Sequence, residues 1–218
     1  MADTNLISIL APGALERAGE LLCQGNLIAF PTDTVYGLGA HGFLEKAVAR
    51  LYSVKQRPAH LPIPLLLSEA REMDTTCTEI PAVAWAIAER FWPGGLSLVL
   101  HRSRTVPDAV TAGGPTVAVR VPDQSLVQDL CRQLGAPLAA TSANVHGQPP
   151  PVTAGGVQAM LGGRISLLLD GGACPGGMAS TVLDLTVWPP IILRAGPIRA
   201  EQLADLVPLA PTGASSLA

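Results

Sequence analysis

An α/β fold built on a mixed, twisted sheet is predicted by three observations. Short apolar runs of strand length, such as residues 27–30, are separated by segments with apolar residues at helical spacing, such as residues 44–54. The two kinds of segment alternate at first, and strand-like runs then cluster at 165–169, 181–185 and 191–193, which points to a mixed sheet with helices packed on it. The chain has 218 residues, 48% hydrophobic and only 14% charged, enough for one domain with a sizeable core; at 4% aromatic, that core must be aliphatic.

Each element has a local reason. Residues 6–10 read as a short first strand. Pro12 suits a helix start, Leu15, Ala18, Leu21 and Leu22 recur at helical spacing, and Gly25 is the stop. Leu27, Ile28, Ala29 and Phe30 form a buried strand that runs into "FPTDTVYGLGA", read as a hydroxyl-rich strand end whose glycines let a loop turn closely past a ligand. Residues 44–54 form a helix with Leu44, Val48 and Leu51 on one face, and it ends before Pro58, because the residue preceding a proline avoids helical geometry. A strand at 63–67, a helix at 81–91 closed by "WPGG", and strands at 96–100 and 116–121 follow, with an irregular segment at 102–115. Ser125 stands at or near the cap of a helix to 134, and residues 138–140 form a strand leading into Thr141, Ser142, Ala143 and Asn144. Thr153 caps a helix to about 161. After the three late strands a last helix covers about 199–206, and 207–218 is expected to be a frayed tail beyond a single domain over 1–206.

The formal net charge is −3, which argues against coating nucleic acid through bulk charge and leaves room for a local basic site. Only Lys46 and Lys55 are lysines, against twelve arginines. Cys23, Cys77, Cys131 and Cys174 are widely spaced with no C-x-x-C pair, so free thiols in a reducing cytoplasm are expected rather than a zinc site or a disulfide framework. The polar opening, without a positive charge, predicts no signal peptide, and no apolar run approaches a membrane span; a cytoplasmic protein with no membrane partner is expected.

Four polar clusters fall at strand or helix ends: Thr32, Asp33, Thr34 and Tyr36; Lys55 and Arg57; Ser142 and Asn144; Ser180, Thr181 and Arg194. Ligands of open α/β sheets bind outside strand ends, and hydroxyls, amides and guanidiniums together suit an anion. Singly each cluster is weak, since threonines after a strand are commonly turn caps and Lys-x-Arg at a helix end is commonly a solvated terminus. Other chemistries fit badly. The chain has no phosphate loop of the G-x-x-x-x-G-K-[ST] kind, no G-x-G-x-x-G after a strand, and no G-x-S-x-G elbow. His41, His60, His101 and His146 lack zinc spacing, and His41 and His146 read as loop residues near the clusters.

Taken together, "FPTDTVYGLGA", "LYSVKQRP", "FWPGGLSLVL", "VAVRVPD", "PLAATSANVHGQPPP", "DGG", "STVLDL" and "ILRAGPI" resemble the YrdC family, in the family's order and over roughly residues 27–198. The resemblance implies an open, strongly twisted mixed sheet flanked by helices around a large concave active-site surface, in the short form without the extra C-terminal domain of longer members. It also implies threonylcarbamoyl-AMP synthase activity, in which L-threonine, bicarbonate and ATP give threonylcarbamoyl-adenylate and pyrophosphate. A partner transferase complex then modifies tRNA.

By the same resemblance, Lys55 and Arg57 match the K-x-R motif and should act on the triphosphate as the catalytic pair. Ser142 and Asn144 match the S-x-N motif, and Arg194 and Thr116 match positions near the nucleotide. Thr34, Arg120, Thr141 and Ser180 match the threonine pocket, with Arg120 on the amino-acid carboxylate, and Thr32 and Tyr36 shape the pocket around Thr34. Magnesium is expected with the ATP phosphates. Leu61, Leu66, His146 and Pro150 depart from residues that some relatives carry. The residues leave Asp33 open between capping the turn, orienting a metal and orienting the amine. An RNA-binding module of the same fold, using Arg50, Lys55, Arg57, Arg120 and Arg194 as a basic patch, is the alternative. A carbamoyl-adenylating role in hydrogenase maturation is disfavoured by the chain's length.

Overall fold

A computed structural model describes residues 3–175 and 178–210. The strands are β1 (Asn5–Ser8), β2 (Ile28–Phe30), β3 (Gly37–His41), β4 (Leu65–Leu66), β5 (Cys77–Thr78), β6 (Leu96–Arg102), β7 (Thr116–Arg120), β8 (Leu138–Ser142), β9 (Leu167–Asp170), β10 (Thr181–Asp184) and β11 (Ile191–Arg194). The helices are α1 (Ala14–Cys23), α2 (Glu45–Lys55), α3 (Met73–Thr76), α4 (Ala82–Phe91), α5 (Asp108–Thr111), α6 (Ser125–Leu134), α7 (Ala154–Leu161) and α8 (Ala200–Ala204). One open sheet runs β1-β9-β2-β3-β8-β4-β7-β6-β10-β11, with β5 on β6. It is mixed as expected: β4 is parallel to β7 but antiparallel to β8, and β6 is antiparallel to β7 but parallel to β10.

The expected strand end "YGLGA" is itself strand β3, paired antiparallel with β2 on one side and β8 on the other. Its glycines are required by packing rather than by a turn past a ligand. A Cβ on Gly37 would stand 2.8 Å from the Phe30 ring and one on Gly39 2.7 Å, and Phe30 has no exposure through which to retreat. The irregular segment contains the short helix α5. Gly25 stops α1 in the left-handed conformation, with φ 76°. Thr153 caps α7 by accepting from the Gly156 N–H, whereas α6 is preceded by Gln124 and lacks a side-chain cap, so Ser125 is its first residue and not its cap. Part of the expected tail is docked: Val207 is buried, and the Ala210 N–H donates to the Pro190 carbonyl at 2.9 Å. Residues 211–218 lie outside the described residues. Of the free cysteines, Cys77, Cys131 and Cys174 are buried and Cys23 is exposed.

The two faces of the sheet are covered unequally. One face carries a core that receives α2, α4, α5, α7 and α8 through residues such as Val48, Leu51, Ile87, Val110, Val157 and Leu203. The other carries a smaller core, in which α1 and α6 pack on Ile28, Phe30, Leu66, Leu138, Ala140, Leu167 and Leu169. That second core contains no residue of β7, β6, β10 or β11. Side chains alternate across a strand. Val117 and Val119 therefore point into the first core, and Thr116, Ala118 and Arg120 stand on the uncovered half of the other face. The candidate functional site lies at the border between the covered and uncovered halves.

Candidate functional site

A cavity of ≈ 200 Å³ opens at this border. Leu66 and Ala140 supply its floor from the covered half, and Ser97, Arg120, Ser180 and Arg194 its walls from the other. Thr32, Thr34, Val35, Tyr36, Arg57, Thr141 and Ser142 line it too, with Gly37, Pro64 and Ala179. Clusters far apart in sequence meet here because β2, β3 and β8 are neighbours in the sheet and β4 and β7 bring Arg120 alongside.

The turn after β2 is held by its own hydroxyls. Thr32 Oγ1 donates to the Val35 carbonyl at 2.7 Å, accepts from the Thr34 N–H at 3.1 Å and lies 3.0 Å from Thr34 Oγ1. Tyr36 is fully buried, and its hydroxyl donates to the Gly172 carbonyl at 2.7 Å while accepting from the Gly171 N–H at 3.2 Å. Burial pushes the Tyr36 phenol above its usual pKa.

Arg120 is buried, its Nε donates to the Gly94 carbonyl at 2.7 Å, Nη2 pairs with Asp33 Oδ1, and Nη1 lies 3.5 Å from Thr34 Oγ1. Arg194 donates through Nε to the Ser180 carbonyl at 2.9 Å and through Nη2 to Ser180 Oγ at 3.0 Å; Ser180 Oγ in turn lies 2.9 Å from Ser97 Oγ. Arg57 donates to the Leu61 and Pro62 carbonyls at 3.2 and 2.9 Å. Among the described residues neither Arg57 nor Arg194 has a carboxylate partner, and Nη1 of each donates to no protein acceptor. Burial lowers the pKa of all three guanidiniums, and Arg120 and Arg57 lower that of Arg194 further. They stay charged, because an arginine starts so far above neutrality. The cavity is thus lined by three guanidiniums and, among the described residues, by no carboxylate; Asp33 pairs with Arg120 from outside its lining, and an incoming anion relieves the repulsion among the guanidiniums.

Lys55 lies beneath this cavity and not in it. It is 1% exposed, and its Nζ donates to the Ser142 carbonyl, to the Asn144 carbonyl at 2.6 Å and to Asn144 Oδ1 at 3.2 Å. An ammonium has three N–H donors, and all three are engaged. Asn144 Nδ2 donates to the Val145 and Gln148 carbonyls at 2.9 and 2.6 Å, and the His146 N–H donates to the Lys55 carbonyl at 2.8 Å. The loop after β8 is therefore fastened to the end of α2. Burial, and next the Arg57 charge, lower the Lys55 ammonium from 10.5 to about 7; the three oxygen acceptors work in the opposite sense.

The family model described as telomere recombination, Sua5/YciO/YrdC, matches residues 20–196. The chain belongs to the Sua5/YciO/YrdC family. Within it, the threonylcarbamoyl-AMP synthase of Pyrococcus abyssi is 42% identical over 190 residues, which is 87% of this chain and 56% of that protein. The threonylcarbamoyl-AMP synthase of Bacillus subtilis is 40% identical over 197 residues, 88% of this chain and 56% of that protein. This chain thus spans about half the length of these two relatives. The crystal structure of P. abyssi Sua5 complexed with L-threonine superposes with a TM-score of 0.89 at 38% identity, covering 95% of this chain and 62% of that one.

For this Sua5/YciO/YrdC chain, the cavity gathers Thr32, Thr34, Tyr36, Arg57, Arg120, Thr141, Ser142, Ser180 and Arg194 from the residues singled out in the sequence. Lys55 and Asn144 are buried behind its wall. Thr116 lies outside the lining, but on the same face of β7 as Arg120. Because Leu65 pairs with both Val119 and Ala139, Thr116 stands level with Ser142, two strands away. Of the departures from other members, Leu66 lines the floor and Leu61 accepts from Arg57 and from the Tyr52 hydroxyl through its carbonyl. The basic patch expected for RNA is not assembled on the surface, since Lys55 and Arg120 are 1% and 6% exposed. Ser97 lines the cavity but was not singled out in the sequence; its signal was a polar position between Leu96 and Leu98 in the apolar first part of β6.

Proposed function

We propose that this chain is a threonylcarbamoyl-AMP synthase, converting L-threonine, bicarbonate and ATP into threonylcarbamoyl-adenylate and pyrophosphate for the modification of tRNA by a partner transferase complex. The observation that carries the reading is the convergence of Arg57, Arg120 and Arg194 on one hydroxyl-rimmed cavity whose lining, among the described residues, holds no carboxylate, Asp33 pairing with Arg120 from outside it. The two reactants of the adenylation step, N-carboxy-threonine and ATP, are both anionic at the reacting end, and the adenylate keeps a phosphate charge. The names of the synthases from P. abyssi and B. subtilis, and the L-threonine complex of P. abyssi Sua5, support the same reading.

The chemistry needs no protein nucleophile. The threonine amine and bicarbonate give N-carboxy-threonine with loss of water. Its carboxylate oxygen bonds to the α-phosphorus as the α–β bridging bond breaks and pyrophosphate leaves. The protein's part is to hold the two anions in line and to neutralise charge on the phosphate oxygens. Arg57 and Arg194, whose Nη1 groups find no acceptor among the described residues, take phosphate oxygens. Ser142, Asn144 and Thr116 flank the nucleotide. Thr34, Thr141 and Ser180 surround the threonine, Arg120 receives its carboxylate, and Thr32 and Tyr36 fix the turn that carries Thr34. Lys55 acts through the loop it fastens. Magnesium enters as the ATP complex. Among the described residues no three histidine, cysteine or acidic side chains gather to hold a metal ion.

The test is pyrophosphate release by the purified chain with each substrate omitted in turn. Release requiring ATP, L-threonine and bicarbonate together is expected. Release independent of threonine or bicarbonate, or none from folded protein, overturns the reading. Tight RNA binding with a steep salt dependence and no turnover would favour an RNA-binding module instead.

A further inference from the structure

The Asp33–Arg120 pair stands at a junction. Arg120 lines the first cavity, and Asp33 lines a second, of ≈ 380 Å³, that also touches Gly94, Gly95, Asp123 and Gln124. Thr32 and Thr34 line both, so the short turn after β2 is the partition between them. The Asp33 and Arg120 side chains are 14% and 7% exposed. Arg120 is the only cation within ion-pair reach of Asp33 among the described residues, and Asp33 Oδ2 accepts no hydrogen bond from them.

This arrangement constrains what can dock on Arg120. A ligand bearing only a carboxylate would take Arg120 from Asp33 and leave a largely buried carboxylate without a partner, which is heavily penalised. A ligand carrying both charges on one carbon exchanges one ion pair for two and leaves nothing unpaired. We propose that Asp33 is the residue that selects for a free α-amino acid, accepting the substrate's α-ammonium as Arg120 turns to its carboxylate. The protein's own ion pair then holds the place of the zwitterion until the substrate arrives. Thr34 Oγ1, 3.0 Å from Thr32 Oγ1 and 3.5 Å from Arg120 Nη1, lies beside the pair and meets the ligand as the two charges part. The assignment rests on the proposed use of an amino-acid substrate and adds to it how the amine is recognised.

The experiment compares L-threonine with its des-amino counterpart, 3-hydroxybutyrate, by titration calorimetry on the wild type and Asp33→Asn, with folding checked by thermal unfolding. The wild type should prefer L-threonine by at least about tenfold, the scale of one charge-assisted hydrogen bond. Asp33→Asn should weaken L-threonine by about tenfold or more and leave 3-hydroxybutyrate unchanged or tighter. Equal losses for both ligands would assign Asp33 to holding Arg120 and overturn the proposal. So would an unchanged affinity for L-threonine. A wild type that binds both ligands equally overturns it without reference to any variant. A wild type that binds no L-threonine at all overturns the functional reading as well, so the two failures are told apart.

Discussion

Lys55 offers the sharpest test of how the site is built. Lys55→Met keeps an unbranched side chain one atom shorter and removes all three donors that fasten the loop after β8. Leaving buried acceptors unpaired costs about 1–3 kcal/mol each. Against this, the variant no longer buries an ammonium whose pKa is depressed from 10.5 to about 7, a relief of about 5 kcal/mol at roughly 1.4 kcal/mol per unit. The two effects are of similar size and opposite sign, so the variant should remain folded at 25 °C.

Its activity should suffer far more. A misplacement of about 1 Å in a positioning loop costs about 100-fold, so kcat/KM for pyrophosphate release should fall about 100-fold, or about 2.7 kcal/mol in the barrier. If Lys55 works through the loop, combining Lys55→Met with Asn144→Ala should be little worse than the more damaging single change, because residues of one network are not additive. Multiplicative losses in the double variant would show that Lys55 and Asn144 act separately. That result, or full activity in Lys55→Met, would refute the reasoning.

Further outcomes follow from the same geometry. With a folded pKa near 7 against an unfolded value of about 10.4, Lys55 leaves the unfolded chain holding more protons above pH 7. Stability should therefore rise with pH from about 7 to 8.5, by up to about 1.4 kcal/mol per unit, before the cysteines titrate. Denaturant midpoints for Lys55→Met should lack that slope. Arg57→Ala and Arg194→Ala remove unpartnered charge from the cavity and should each lower kcat/KM for ATP by about 10²-fold or more, with stability changes near about 1 kcal/mol by chemical denaturation. Gly39→Ala should cost about 1–3 kcal/mol through the Phe30 ring, read as a lower denaturant midpoint, and Gly25→Ala less, since its added Cβ comes no nearer than 3.8 Å to Ala47 and only the positive φ is strained.

Much of the fold was legible because its signals are local. The helical spacing in α1 and α2, the Thr153 cap and the glycine stop after α1 each depend on a few neighbouring residues. Strand β3 was missed because its cause is not local: Gly37 and Gly39 weaken any strand signal, and what asks for them is an aromatic ring on β2. The candidate site was legible as a set of clusters, because the resemblance tied Arg57, Ser142, Ser180 and Arg194 together before any geometry did. The partners within it were not. Lys55 and Arg57 look alike in sequence, but Gln56 between them takes the left-handed conformation at φ 54°, and the two cations part. One runs under the loop of Ser142 and Asn144, and the other lines the cavity. Asp33 meets Arg120 across 87 positions of sequence, a separation at which no spacing argument operates.

Leu66 and Ala140 belong at once to the core under α1 and α6 and to the floor of the cavity. A substitution that fills or empties that core therefore raises or lowers the floor on which a ligand rests. Thermal robustness and substrate shape cannot be tuned independently along this seam. A variant selected there for heat resistance would carry a changed ligand preference as a by-product, even though none of its new atoms need touch the arginines.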